Sequence, residues 1–413
     1  MAAITTALRN VIALLTLVLS GPNPAAAADS GEIPSIHNGP VPAAGREMWT
    51  LEERWRLSPE EDRDLLVGRI QQVIAGEDGM LYLLDQQLAQ VHVFSAEGDY
   101  LRSLSREGDG PGESRSPIDL VFLPSGGLGL VQAFPARVIG VDLKGDPLGA
   151  IDVRAPKAVK GTDRYLRRVR CRGGTFAYSG QTLSTSRRRS GRVRKMLVVC
   201  DDEGKEKVVI HESETRDIMD SKQWVEKEEY FVHDRWELGP GGRVFLAPEF
   251  GRYAVHVYEP DGTPSLIISR DFEPRRRTNE EKEGKGVRVQ VSGREIDIEN
   301  IVEDDAPCID DLHVDSDGAL WVRHARSRMD QPEGVLETWD LFDARGRFQR
   351  QVSLAVDADP AEDQLFHVGD RRFVLVKGYE ERISITIGSG DGEGVEEGTP
   401  PFEVIYYEAV PSD

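Results

Sequence analysis

Residues 76–113 read GEDGMLYLLDQQLAQVHVFSAEGDYLRSLSREGDGPGE. Asp78-Gly79 marks a tight hairpin, because glycine takes the positive φ that such a turn needs. The apolar run Tyr82, Leu83, Leu84 follows, then Val91, Val93 and Phe94 around His92. A second turn at Glu97-Gly98 starts a third run, Tyr100 to Leu104. Strands this short between glycine turns predict a four-stranded antiparallel meander. In GDGPGE at 108–113, Pro111 fixes φ and the glycines allow a reversal into the next unit. A phosphate-loop reading fails there, because no following helix supplies an anion-binding N-terminus.

The two turns recur down the chain. The first returns as Gly126-Gly127, Gly173-Gly174, Gly241-Gly242, Asp317-Gly318 and, degraded, Gly369-Asp370. The second returns as Lys144-Gly145, Glu203-Gly204, Asp261-Gly262 and Arg345-Gly346. Apolar strands follow each first turn (LGLVQ from 128, TFAYS from 175, VFLAP from 244, ALWVR from 319, FVLVK from 373). Where unmodified, the units repeat about every 47 residues, with 19 residues from turn to turn in the first two. Six such units predict an all-β, six-bladed β-propeller over residues 48–410, since radial stacking buries both faces of each small sheet. A pair of β-sandwiches gives no reason for the constant turn-to-turn distance.

Units of the form D-G-x-L-Y-x-x-D followed by V-x-V-F-x-x-x-G, with GDGPGE leading onward and DSDGALWV at 315–322, resemble the NHL-type six-bladed propeller proteins of bacteria. The resemblance spans roughly residues 48–410, and units 3 and 6 depart from it. It implies a fold and an exported setting but no single function.

Arg9, the apolar stretch Val11 to Leu19 and the run Ala25 to Ala28 predict a signal peptide over residues 1–28, and hence a periplasmic or extracellular protein. Residues 29–47, rich in Gly, Pro and Ala, are expected to be a flexible linker. No later segment is apolar enough for a transmembrane segment. With 51 basic and 72 acidic residues, a net charge of −21 argues against nucleic acid as a partner. Cys171, Cys200 and Cys308 permit at most one disulfide.

Interruptions of the repeat point to one face. Unit 3 carries 12 extra residues between its second and third strands, and units 5 and 6 carry others. A further insertion, 275–307, lies between blades 4 and 5 and is expected as a flexible, charged lid over the funnel rather than a seventh blade, because it lacks the two glycine turns. All emerge where the channel funnel opens. The rim is expected at the starts of the innermost strands: Gln72, Asp119, Arg167, His233, Asp234, Asp310, Asp311 and Gln364, with His324 and Tyr379 just outside. Such a ring suits a polar ligand.

Two function classes follow. The first is a non-catalytic binding or scaffold propeller that takes a protein, peptide or saccharide ligand at this face, without a cofactor. In it, Arg187, Arg188, Arg189, Arg192 and Arg194 would form a patch for an anionic partner. The second is a lyase- or lactonase-type enzyme with an axial divalent cation such as calcium or zinc, for which His233 and Asp310 are the candidate ligands. Against the second, His313 and His367 precede their turns by five and two residues, so strand alternation would aim them differently. No G-x-S-x-G elbow is present.

Ring closure is the last expectation. FEVIYYEA at 402–409 matches a third strand, leaving blade 6 without a fourth, and Trp49 to Leu57 is the spare strand that would supply it.

Overall fold

The computed structural model describes residues 33–58, 65–153, 162–184, 191–231, 235–291, 294–329, 331–379 and 403–412. Six antiparallel meanders form the blades. Blade 1 runs Ile70–Ala75, Leu81–Asp85, Gln90–Phe94, Tyr100–Leu104, and blade 2 spans Pro117 to Asp152. Blades 3, 4 and 5 span Thr162 to Arg216, Trp236 to Arg270 and Ile309 to Ala355. Blade 6 takes Gln364–Gly369, Arg372–Val376 and Val404–Pro411 from the end of the chain.

Its fourth strand is Arg46–Leu57, paired antiparallel with the last strand from Trp49↔Pro411 to Leu57↔Val404. The first residues of the same strand also run parallel to the outer strand of blade 5, Arg46↔Gln351 to Thr50↔Ala355. Blades 5 and 6 thereby become one eight-stranded sheet. The two tryptophans pack on opposite sides of it. Trp49 meets Trp321 of blade 5 edge-on at 5.5 Å, whereas Trp55 stacks on Phe94 of blade 1 at 5.5 Å. Gly98 makes that second contact possible: its φ is +97°, and a Cβ there would lie 2.6 Å from Trp55.

One apolar layer fills each gap between neighbouring blades, for example Tyr82, Leu84, Leu120 and Leu130 between blades 1 and 2, and Leu57, Phe94, Val374 and Val404 between blades 6 and 1. Strands buried on both faces therefore read as continuous apolar runs. The repeat's Asp also finds its reason here. Asp85, fully buried, accepts hydrogen bonds from the backbone N–H groups of Gly68, Arg69 and Leu88, and so fixes the chain's entry into blade 1.

Part of the expected linker is ordered strand. Ser35–Asn38 adds a fifth, parallel strand to blade 4, pairing with Ile267 to Arg270. The Asn38 amide donates to the carbonyls of Ser269 and Gly346 and accepts from Phe348 N–H, which joins blade 4 to blade 5. Ala43 and Ala44 then hydrogen-bond to Phe348 and Gln349. Residues 35–57 thus strap the outer edges of blades 4, 5 and 6. Composition hid this, because a parallel edge strand can form from polar and small residues when another strand supplies the partner groups.

The extra residues of unit 3 lengthen its strands, to 10 residues at Thr175–Ser184 and 9 at Arg192–Cys200, against 5 for their counterparts in blade 1. The 275–307 insertion forms a short capped helix, Asn279–Glu283, a small hairpin, Val289–Val291 with Arg294–Ile296, and a strand, Glu299–Ile301. That strand pairs with Gln223–Val225 from the blade 3 to blade 4 connection. A buried two-pronged ion pair, Arg277 to Glu226 at 2.6 and 2.7 Å, ties the two connections together. The insertion is therefore docked, and it does not contain a four-stranded blade among the described residues. The three cysteines are free thiols.

Candidate functional site: the central channel

The innermost strands surround a cavity of about 810 Å³. Each of these strands has one backbone edge turned to the channel, where no strand can pair with it. The sequence meets that need with polar side chains. Gln72 accepts from Val73 N–H, Asp119 from Leu120 N–H, Glu237 from Leu238 N–H and Asp311 from Leu312 N–H, all at 2.8–2.9 Å. The second oxygen of Asp119 takes Val169 N–H at 2.9 Å.

Bulges set up this geometry. The register shifts at Ile70/Gln72, Pro117/Asp119, Leu166/Arg168 and Ile309/Asp311, so the bulged residue turns aside and the next one faces the axis. In blade 3 the channel position accordingly belongs to Arg168, and Arg167 is exposed on the bulge.

A belt of ion pairs then runs around the axis. Gln72 donates to Asp119 at 3.1 Å; Arg170 bonds Asp119 at 2.9 Å and Glu237 at 3.0 Å; Arg168 bonds Glu237 at 3.3 Å and lies 3.8 Å from Asp311. Arg323 completes it, with Asp310 at 3.0 Å and Asp311 at 3.6 Å. Burial alone would raise Glu237, but Arg170 and Arg168 outweigh it and hold the carboxyl below the usual glutamate range. Asp310 is likewise lowered, Arg323 overcoming its burial. Each acid of the belt is thus matched to an arginine.

At the mouth the balance differs. Arg167 and Arg235 line the cavity and make no ion pair with the described residues. Arg235 lies over the Tyr230 ring at 3.4 Å. Cys171 also lines the channel, but burial pushes its thiol up to about 12, so it stays protonated at neutral pH.

Further along the innermost strands of blades 5 and 6, His313, Asp315 and His367 meet, with their potential ligand atoms all within 4.8 Å of one another. The two imidazoles stack at 3.8 Å. Burial, and then the neighbouring His313, pull His367 well below the ordinary histidine range.

Of the expected rim residues, Gln72, Asp119, Arg167, Asp310, Asp311, Gln364 and Tyr379 do line the cavity. His233 and Asp234, and with them Arg187, Arg188 and Arg189, lie outside the described residues. Arg192 and Arg194 are paired across the sheet with Glu214 and Glu212, which leaves little free charge for an anion there.

His324 is a correction. It takes the strand position that Asp85 holds in blade 1, and its side chain is buried in the blade 4/5 gap, 3.6 Å from Asp340. Asp340 also binds Tyr253 at 2.6 Å, Arg270 at 2.6 Å and Gln351 at 3.0 Å, so the cluster locks two blades together.

The candidate cation ligand Asp310 is held by Arg323 instead. The opposite aiming expected of His313 and His367 is a second correction. His313 lies opposite Trp321 and His367 opposite Phe373, each the second residue of the next strand. The hairpin of blade 6 is shorter, with a bulge between His367 and Gly369, so distance to the turn was the wrong ruler. Arg168, Arg170, Glu237 and Arg323 escaped the sequence reading. The polar residue one step past a bulge is the signal that finds the first of them, Arg168.

A family model, DUF5128, described as a 6-bladed beta-propeller, matches residues 60–219. No curated protein matches the chain. Solved structures similar to it include a Bacteroides fragilis protein provisionally described as exported, 13% identical over 91% of this chain and 99% of that one, TM-score 0.47. A Bacteroides vulgatus member of the DUF4221 family is 8% identical over 88% and 98%, TM-score 0.48. The calcium-binding protein regucalcin of Agrobacterium tumefaciens is 10% identical over 88% and 96%, TM-score 0.39. At such identities and scores these likenesses carry no functional argument. Strand order and family model agree on what the chain is, a six-bladed β-propeller.

Proposed function

We propose that this chain is an exported, non-catalytic propeller of the NHL type that binds a polar or anionic ligand, such as a peptide or saccharide bearing carboxylates, at the channel mouth. The observation that supports it most is that Arg167 and Arg235 have no close ion-pair partner among the described residues, Arg235 sharing Asp310 at longer range with Arg323, in a protein of net charge −21. A cation held over a low-dielectric rim attracts anions more strongly than one on open surface. The belt also supplies rigidity, so little ordering cost would fall on binding. Export rests on the signal-peptide pattern of residues 1–28.

The test uses citrate and an oligoglutamate peptide as probes in thermal-shift and calorimetric titrations of the mature chain. Either probe should bind, more weakly as salt rises, and R167E/R235E should lose at least tenfold in affinity. Equal binding by the variant, or none by the wild type, would remove this reading. A second reading, a metal-dependent lyase- or lactonase-type enzyme, draws on the His313–Asp315–His367 cluster. Lactone turnover that depends on an added divalent ion would favour it over the first.

A further inference from the structure

We propose that His313, Asp315 and His367 form a binding site for a divalent transition-metal ion of the zinc type, held between blades 5 and 6 on the channel wall. Blade 5 supplies His313 at the end of its innermost strand and Asp315 in the turn that follows, and blade 6 supplies His367. Nε2 of His313 lies 3.3 Å and Nε2 of His367 3.9 Å from the same oxygen, Asp315 Oδ1. Zinc bonds to nitrogen and carboxylate oxygen are about 2.0–2.1 Å, so two ligands of one tetrahedral ion stand roughly 3.3 Å apart. His313 and Asp315 already stand at that spacing, and His367, stacked on His313, joins them once its ring turns Nε2 toward the same point.

Their present state favours an occupant. The His367 side chain is only 6% exposed, yet neither ring nitrogen has a hydrogen-bond partner, and Asp315 Oδ1 has none either. Buried polar atoms left in this way are costly, and two of them, His367 Nε2 and Asp315 Oδ1, face one another 3.9 Å apart, a gap that a common partner would fill. The surroundings orient the set. Trp321 Nε1 donates to the other oxygen of Asp315 at 2.6 Å, leaving Oδ1 for the ion, as outer-shell donors to metal carboxylates do. Arg172 pins the backbone by donating to the carbonyls of Val314 and Asp315 at 2.6 and 2.9 Å. Phe373 stacks on the far side of His367 at 4.6 Å.

Two imidazoles and one carboxylate select a borderline ion such as Zn²⁺, since calcium asks for six to eight oxygens. All three residues border the channel, so a fourth position is open to water or to an anionic group entering from the mouth. The site is independent of the ligand reading above, because it needs neither Arg167 nor Arg235.

Chelator-treated mature chain should take up one equivalent of Zn²⁺ in calorimetry, and Co²⁺ should give the visible bands of a four-coordinate ion. Zinc should raise the melting temperature, because the ion ties blade 5 to blade 6. H313Q and H367Q should each weaken binding at least 100-fold and abolish the thermal shift, while H37Q, on the outer strap, should change neither. Should H367Q fail to fold, H313Q and D315N carry the comparison. Absence of stoichiometric uptake by the wild type, or uptake unchanged in folded H313Q, would overturn the proposal.

Discussion

Glu237 shows what the axial residues do. It caps Leu238 N–H with one oxygen and gathers Arg168 and Arg170 with the other, at 13% exposure. Removing one partner of such a buried set costs about 3–5 kcal/mol, because the others stay buried and unpaired. E237Q should therefore lose about 3 kcal/mol at pH 7, read from urea denaturation. The pH dependence has a definite sign. The folded carboxyl sits below its unfolded value of about 4.3, so its contribution is complete above that pH and fades as pH falls through the folded value. The gap between wild type and E237Q should close in that acid window, and a gap constant with pH would refute the role. Gln72, Asp119 and Asp311 were legible in the sequence as polar residues opening apolar strands. Glu237 was not, because Pro240–Gly242 forms a turn of its own and shifts the strand start past His233 and Asp234.

Among elements, the strap is the one whose reading changed most. Turn chemistry and apolar runs announced the blades, since local sequence dictates both. Ser35–Asn38 has neither signal, and its order comes from partners more than 200 residues away, such as Ser269 and Gly346. Asn38 makes three hydrogen bonds across two blades. N38A should cost about 1–3 kcal/mol by leaving buried backbone groups unpaired. Hydrogen exchange should speed up at residues 35–38 and at Phe348 before it changes in blades 1 to 3. Uniform exchange across the protein would mean that the strap contributes nothing local.

For the whole molecule, closure was readable because a count of strands leaves one missing at the end and one spare at the start. The sequence did not show that the spare strand would also pair with blade 5 and fuse two blades into a single sheet. Deleting residues 34–57 should thus do more than expose one edge. Trp49, Leu51, Trp55 and Leu57 leave the two gaps flanking blade 6 together. The melting temperature should fall on the order of 10 °C or more, in one transition rather than two. A separate early transition would show that blades 5 and 6 unfold on their own.

The pairing of Arg46–Leu57 with Val404–Pro411 also sets an order in time. The earlier strand has to wait for a partner that lies 354 residues further on, as between Arg54 and Glu408, so this seam cannot shut before that partner is made. Contacts across so many residues form slowly.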